Sequence, residues 1–383
     1  MQRLNTTRGV GALVLWSAGA AAHAWVSVFP TGVTINDPTR VSPGVVIFNT
    51  NNGETYAITN DGTPVNRWTS PDVDRPMLGY GEPLASGTLL TYVSDGFKPG
   101  CAVNCGDRIV ELDAASNIVW EYTDTEDRFL HHDFERLSNG NTMILCSKTF
   151  IDPNVSDKEI VDDCIVEVDA AGNVVWEWQT ADHYDELGLS DEAKALIFEA
   201  GGDWGHANGA GVIADNTSSP DPRFRPGNVF IQYQTANMLI VVDRDTDEVV
   251  WSLIDEVISP HGINFLTDAV TGANNFLVFD NGNAAGYPKI SRFYSRVVEI
   301  NPIDNSIPYE YNATTSGASQ LWSMYSHFKG VAQRQVNGNT LIVEGSSGRI
   351  FEVDDTGEIV WEFVSPLDEG GNDIYRAWRI PLP

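Results

Sequence analysis

Along most of the chain, apolar and polar residues alternate over short runs that are broken by Asp, Asn and Gly. One arrangement recurs: "RIVELDAASNIVWEY" from 108, "CIVEVDAAGNVVWEW" from 164, "LIVVDRDTDEVVWSL" from 239 and "RIFEVDDTGEIVWEF" from 349. A period of two places successive side chains on opposite faces, and an Asp/Asn/Gly turn between two such runs is the signature of a β-hairpin. "RVVEINPIDNSIPYEY" from 296 and "TYAITNDGTPVNRW" from 55 are diverged copies. The pattern therefore predicts six hairpins, most of them ending near a tryptophan.

A second repeating piece precedes most of the hairpins. "HDFERLSNGNTMIL" from 132 matches "HFKGVAQRQVNGNTLIV" from 327, and "HGINFLTDAVTGANNFLVFD" from 261 and "HANGAGVIADN…GNVFIQY" from 206 follow the same plan with longer turns. "YGEPLASGTLLTYV" from 80 is the version without histidine. Each reads as two further strands around a Gly/Asn turn. Four strands per unit and six units of about 60 residues predict an all-β fold, a six-bladed β-propeller forming a single domain over residues 25–383. A jelly roll or double sandwich fits less well, because nothing in those folds requires a fixed hairpin repeat with a terminal Trp. Helix is scarce, and "LSDEAKALIFEA", 189 to 200, is the one stretch with a helical pattern.

The repeat gives the histidines a common address. His132, His206, His261 and His327 all stand at the start of the first strand of a unit, and His131 adjoins one of them. First strands line the central channel of a propeller, so these four side chains are expected at one channel mouth. His206 lies in "GDWGHANGAG", where glycine permits strands to crowd near the axis. Asn208, two residues on, is expected on the same strand face as His206. Clustered imidazoles suit nucleophilic and acid–base chemistry on an anionic group, or metal binding. No H-x-H or H-E-x-x-H spacing is present, so no metal ligand set is assigned and no cofactor is called for.

Composition narrows the setting. The formal net charge is −30, which leaves no basic footprint for nucleic acid. Residues 1–24 have the form of a signal peptide: Arg3 and Arg8, an apolar run, then Ala22-His23-Ala24 as an A-x-A cleavage site. No later apolar run approaches bilayer length, so stable membrane insertion is not expected and a periplasmic or secreted location is. In such a compartment the four cysteines are expected as local disulfides, Cys101–Cys105 and Cys146–Cys164.

These stretches together resemble the bacterial arylsulfate sulfotransferases, also called arylsulfotransferases. The likeness runs through "PTGVTINDPTRVSPGVVIFNTNNGETYAITNDGTPVNRW", "HHDFERLSNGNTMIL", "DWGHANGAGVI", "SPHGINFLTD", "LVFDNGN" and "QRQVNGNTLIVEGSSGRIFEVDDTGEIVWEF". The resemblance implies a periplasmic six-bladed propeller that moves a sulfuryl group from an aryl sulfate donor to a phenolic acceptor without a nucleotide donor, through a sulfated histidine. It makes His261 in "SPHGIN" the nucleophile, His206 and Asn208 the His-x-Asn pair, and His131 or His132 the first channel histidine. One departure stands out. The family commonly carries an arginine in the strand after His-x-Asn; here the strand reads "NVFIQYQTANMLIVV", with Gln234 near that position. A neutral amide holds sulfate less strongly than a guanidinium.

The resulting expectation is catalysis by His261, His206, Asn208 and His132, with substrate contacts from His131, His327, Lys329 and Gln234. Lys329 is the candidate replacement cation, since it follows His327 by two residues, with Arg292 and Arg334 as alternatives. Trp204, Tyr287, Tyr325 and Phe328 are candidate walls for a phenol ring. Two other readings stay open: a secreted non-catalytic propeller that binds an anionic ligand or a protein, and a metal-dependent lyase or hydrolase using the same histidines.

Overall fold

The computed structural model describes residues 30–50, 53–72, 77–93, 105–106, 108–124, 128–366 and 372–381. The expected signal peptide, the 25–29 part of the expected domain and Cys101, and with it the expected Cys101–Cys105 bond, lie outside the described residues. Six sheets form the blades of a β-propeller. Their innermost strands are Ala377–Ile380 in blade 1, Met77–Pro83 in blade 2, Phe129–Arg136 in blade 3, Ala207–Val212 in blade 4, His261–Phe265 in blade 5 and Val331–Arg334 in blade 6. Consecutive inner strands touch around the ring, and Val331–Arg334 returns to Ala377–Ile380.

Both ends of the described chain close the ring. The strand Ala377–Ile380 is the inner strand of the blade otherwise built from Val45–Asn49, Thr55–Ile58 and Pro64–Trp68. Gly32–Asn36 adds a fifth, outer strand to blade 6, antiparallel to Ile359–Val364. The ring is thus tied at blades 1 and 6 by residues more than three hundred positions apart, as in Gly32↔Val364.

The terminal tryptophan of five of the six hairpins has a structural use. Trp68 donates its indole N–H to the Asp113 carbonyl of the next blade at 3.0 Å, Trp120 to Ala170 at 3.0 Å and Trp178 to Asp247 at 3.0 Å. Trp251 reaches Asn305 Oδ1 at 3.3 Å, and Trp361 reaches the Asn60 carbonyl at 2.8 Å. Each indole therefore caps the hairpin turn of its neighbour while its ring fills the space between sheets. Blade 5, whose hairpin lacks the tryptophan, uses a relay instead: Tyr311 Oη pairs with Ser316 Oγ at 2.7 Å, which donates to the Gly357 carbonyl at 2.5 Å. Ion pairs repeat the theme, with Glu111–Arg136, Glu167–Arg244, Glu299–Arg334 and Glu352–Arg379 each bridging adjacent blades.

The helix appears as Asp191–Ala200, capped by Ser190 Oγ accepting from the Ala193 N–H at 3.1 Å. Cys146 and Cys164 are bonded to each other; they face one another directly across the Thr142–Phe150 and Ile160–Val168 strands, with Cα atoms 4.8 Å apart.

Candidate active site

The inner strands of blades 3, 4 and 5 break register where their histidines stand. Pairing shifts between Leu130 and Phe134, between Ala207 and Gly209, and between His261 and Ile263. A bulge twists the strand and re-aims its side chains. His132 has φ 55°, His206 has φ 52°, and Gly262 next to His261 has φ 56°. At Gly262 a Cβ would lie 2.7 Å from the Gly330 carbonyl of blade 6, so no larger residue fits. At Gly205 a Cβ would lie 2.9 Å from Asp163 Oδ2. This accounts for the glycine-rich setting of His206: the chain must come close to Asp163, whose Oδ2 accepts the Ala207 N–H at 2.8 Å.

Four imidazoles gather here. His131 and His132 lie with Nδ1 atoms 2.9 Å apart, so one ring donates and the other accepts. The His132 ring centre is 4.9 Å from that of His206 and 6.0 Å from that of Tyr375. His131 Nε2 is 3.4 Å from Asp163 Oδ1. Burial first, then the charges of His206, His131, His261 and Arg376, hold the His132 pKa well below the usual histidine value, so its ring is neutral.

His261 is buried, and its Nδ1 lies 2.9 Å from Asn281 Oδ1 and 3.3 Å from the Ser259 carbonyl. The Asn281 amide orientation is settled by its own bonds, because Nδ2 donates to the Ser326 carbonyl at 2.6 Å and the Lys329 carbonyl at 2.8 Å. Its oxygen must then face His261, and Nδ1 must carry the hydrogen. The Nε2 lone pair is left available. Burial lowers the pKa of His261 to about 3, against the hydrogen bond to Asn281, so the lone pair persists at neutral pH.

His206 is tuned the other way. Its Nδ1 lies 2.6 Å from Asp203 Oδ2. Burial opposes its charged form, but the Asp203 hydrogen bond and the charges of Asp203 and Asp163 outweigh that, and its pKa is raised. The site therefore pairs a neutral imidazole with a free lone pair and an imidazole whose charged form is favoured, the combination that nucleophilic and acid catalysis need.

Four of the expected site residues are placed differently from the sequence expectation. Asn208 is fully buried; its Nδ2 donates to the Pro260 carbonyl at 3.2 Å and its Oδ1 accepts from Gln232 at 2.5 Å. It is a positioning residue that holds the turn leading into His261, and it does not share a strand face with His206, which precedes the strand. His327 is exposed in a loop ahead of Val331–Arg334, against Phe328 at 4.4 Å, and has no ring contact with the other imidazoles. The physical reason is spacing: His132 lies seven residues before Asn139, but His327 lies ten before the matching Asn337, and the surplus forms the loop. Lys329, with φ 63°, is in the same loop and pairs with Asp373, so it shares no strand face with His327. Trp204 is buried, with its indole on Asp162 at 3.1 Å, and belongs to the core. Gln234 does adjoin the cluster: its N–H donates to the His206 carbonyl at 2.9 Å and its Nε2 to Ser259 Oγ at 2.6 Å. Arg292 and Arg334 are committed to Asp280 and Glu299 at 2.6 and 2.8 Å.

The cation of the site is one the sequence reading missed. Arg376, buried, arrives on the closing segment of blade 1. It donates to the Asn208 carbonyl at 2.6 Å, pairs with Asp133 at 2.9 Å, and its charge acts on both His132 and His261. Asp203, Asn281 and Tyr375 were likewise unassigned, although Asp203 and Asn281 stood inside quoted motifs. Beyond the Arg376–Asp133 pair the channel widens into a cavity of about 330 Å³ lined by Glu82, Glu135, Phe265 and Trp378, with no imidazole in its wall. Burial pushes Glu135 up to about 7 and Glu82 well above the usual carboxylate range. Among the described residues, no three His, Cys, Asp or Glu side chains group as metal ligands, and no helix is long and apolar enough to cross a membrane.

A family model described as arylsulfotransferase (ASST) matches residues 88–366. No curated protein matches the chain. Among solved structures it is similar to a protein of unknown function from Bacteroides caccae, at 13% identity, covering 88% of this chain and 98% of that one with a TM-score of 0.54. It is also similar to a streptogramin B lyase (11% identity, 88% and 83% covered, TM-score 0.47) and to a virginiamycin B lyase from Staphylococcus aureus (12%, 88% and 85%, TM-score 0.44). The first of these likenesses shows the fold alone.

Proposed function

The chain belongs to the arylsulfotransferase family, and from that premise we propose that it transfers a sulfuryl group from an aryl sulfate to a phenol through a sulfohistidine at His261. The observation that carries this reading is the fixed tautomer of His261, whose Nδ1–H is held by an asparagine that cannot turn round. In the first step the Nε2 lone pair forms a bond to sulfur and the S–O bond to the aryl group breaks, its electron pair leaving on the phenolate oxygen. The parent phenol has a pKa of about 10, so the departing oxygen gains from a proton. Protonated His206 supplies it. In the second step neutral His206 takes the proton of the acceptor phenol, whose oxygen attacks sulfur as the N–S bond breaks. His261 is regenerated and protons balance. Splitting one transfer into two is the gain of covalent catalysis.

The anionic sulfuryl group needs a positive partner in a site whose nucleophile is neutral, and Arg376 is the buried cation that bears on His132 and His261. We also take residues 1–24 as a removable export signal and 25–383 as one propeller domain working in the periplasm or outside the cell. The test is an aryl sulfate that releases a coloured phenol, assayed with and without an acceptor phenol, on the native chain and on His261→Asn. Release by the native chain that rises with acceptor and vanishes in the folded variant is expected. Undiminished release by His261→Asn would sink the assignment.

A further inference from the structure

On the histidine face, between the outer strands of blades 5 and 6, lies a second cavity of about 530 Å³, bordered by a loop that also reaches the support of His261. That loop, residues 323–329, presents Ser323 and Met324 to the cavity, and its Ser326 carbonyl receives the Asn281 amide that fixes His261. The walls are apolar, with Tyr311, Ala318, Ile359 and Val364 among them. A volume in this range takes a ligand of one or two fused rings.

The polar groups at its side are ordered and specific in charge. Arg349 lies 2.6 Å from Glu362 Oε1 and 3.1 Å from Glu344 Oε2. Glu344 Oε1 also accepts the Tyr325 N–H at 3.1 Å, and Glu362 Oε2 accepts from Thr34. Two carboxylates against one guanidinium leave one net negative charge at the wall. Such a wall repels an aryl sulfate. Each carboxylate oxygen has a second lone pair beyond the partner named, so the wall accepts a hydrogen bond from an O–H group.

We propose that this cavity binds an uncharged hydroxylated aromatic, with the ring in the apolar part and the hydroxyl donating to Glu344 or Glu362. It is a site for phenols separate from the place where the sulfuryl group is exchanged. Met324 lines this cavity and Ser326 of the same loop holds Asn281, so an acceptor can be stored here, on the same face, while the donor occupies the histidine cluster. Binding at this site does not require the transfer reaction.

The test uses 2-naphthol, neutral at pH 7, and 2-naphthyl sulfate as its anionic counterpart, with the full chain carrying His261→Asn so that nothing turns over. Calorimetry should show saturable 2-naphthol binding that 2-naphthyl sulfate does not displace. Ala318→Trp, which fills the cavity from a half-buried loop position, should weaken that binding at least tenfold, and Ala318→Ser should leave it within twofold. Displacement of 2-naphthol by the sulfate ester together with a silent Ala318→Trp would overturn the assignment, since the phenol would then sit among the histidines. So would a lack of saturable binding. If the native chain releases no phenol from aryl sulfates yet Ala318→Trp abolishes 2-naphthol binding, the transferase reading fails and this one stands.

Discussion

Replacing Asn281 with leucine separates the nucleophile's chemistry from its mere presence. Asn281 is fully buried and makes three bonds: Oδ1 accepts from His261 Nδ1 at 2.9 Å, and Nδ2 donates to two carbonyls at 2.6 and 2.8 Å. Leucine removes all three. Each carbonyl keeps a second donor, Ser295 Oγ on Ser326 and Ser326 Oγ on Lys329, both at 3.2 Å, so losing the two amide bonds costs about 0.5–1.5 kcal/mol each, or about 1–3 kcal/mol of a typical total of about 5–15. The effect on His261 is of a different kind. The lost bond, about 0.5–1.5 kcal/mol for a neutral pair, is what selects the Nδ1–H tautomer, which corresponds to a factor of roughly 2–13 in the reactive population. If the new surroundings lock the other tautomer, the loss climbs toward the factor of about 10⁴ known for a mis-tautomerised triad. Phenol release should therefore fall at least severalfold while the donor KM changes little, because Asn281 reaches the donor only through His261. Nitrogen-15 NMR of labelled histidine reads the tautomer directly in the native chain: His261 should show a protonated Nδ1 and a bare Nε2. An Nε2–H signal in the native protein would refute the reasoning, as would a folded Asn281→Leu variant with native rates.

Three further outcomes follow from the same geometry. Asp203 raises the pKa of His206, so Asp203→Asn should move the alkaline limb of phenol release to lower pH with the acid limb unchanged; a pH–rate profile of the release burst checks this. Arg376→Lys keeps a charge for Asp133 but not the planar fork, and should raise the donor KM about tenfold while sparing the acceptor KM, as steady-state kinetics with each substrate varied will show. The His261 pKa is lowered to about 3 from an unfolded value of 6.5, so its contribution to stability is complete above pH 6.5 and is lost as pH falls toward 3. At about 1.36 kcal/mol per unit this is of order 5 kcal/mol, and denaturant titrations between those pH values should show His261→Asn losing less stability on acidification than the native chain.

The blades were legible because they repeat. Alternation, the Asp/Asn/Gly turn and the terminal Trp are short-range features, and each recurs at a spacing that only a ring of similar sheets explains. The common address of His132, His206 and His261 was legible for the same reason. His327 shows the limit of that argument: it shares the motif letters, but three extra residues before its NGNT turn put it in a loop, and loop length is invisible to a pattern of matching letters. Asn208 shows another limit. Two residues apart means the same face only in a regular strand, and the bulge between Ala207 and Gly209 breaks that rule where the site is built. Arg376 was not legible at all, because no repeat unit contains it. Its position depends on which blade receives the C-terminal strand, a long-range pairing with Val45–Asn49 that local pattern does not encode.

That pairing also links the closing of the ring to the completion of the site. His132, His206 and His261 come from blades 3, 4 and 5, each able to form from contiguous sequence, whereas Arg376 and Tyr375 reach them only once Ala377–Ile380 has joined blade 1. Before closure Asp133 would be a carboxylate beside the histidines without its guanidinium, and the proposed sulfuryl site would carry a negative charge that Arg376 cancels once the ring is closed. The Arg376 bond to the Asn208 carbonyl adds a second tie, since Asn208 in turn holds the Pro260 carbonyl next to His261. A single buried guanidinium thus joins the strand that seals the propeller to the backbone that positions His261. In this arrangement an open ring has the histidines without the cation, and the proposed anion site is assembled only at the step that makes the fold complete.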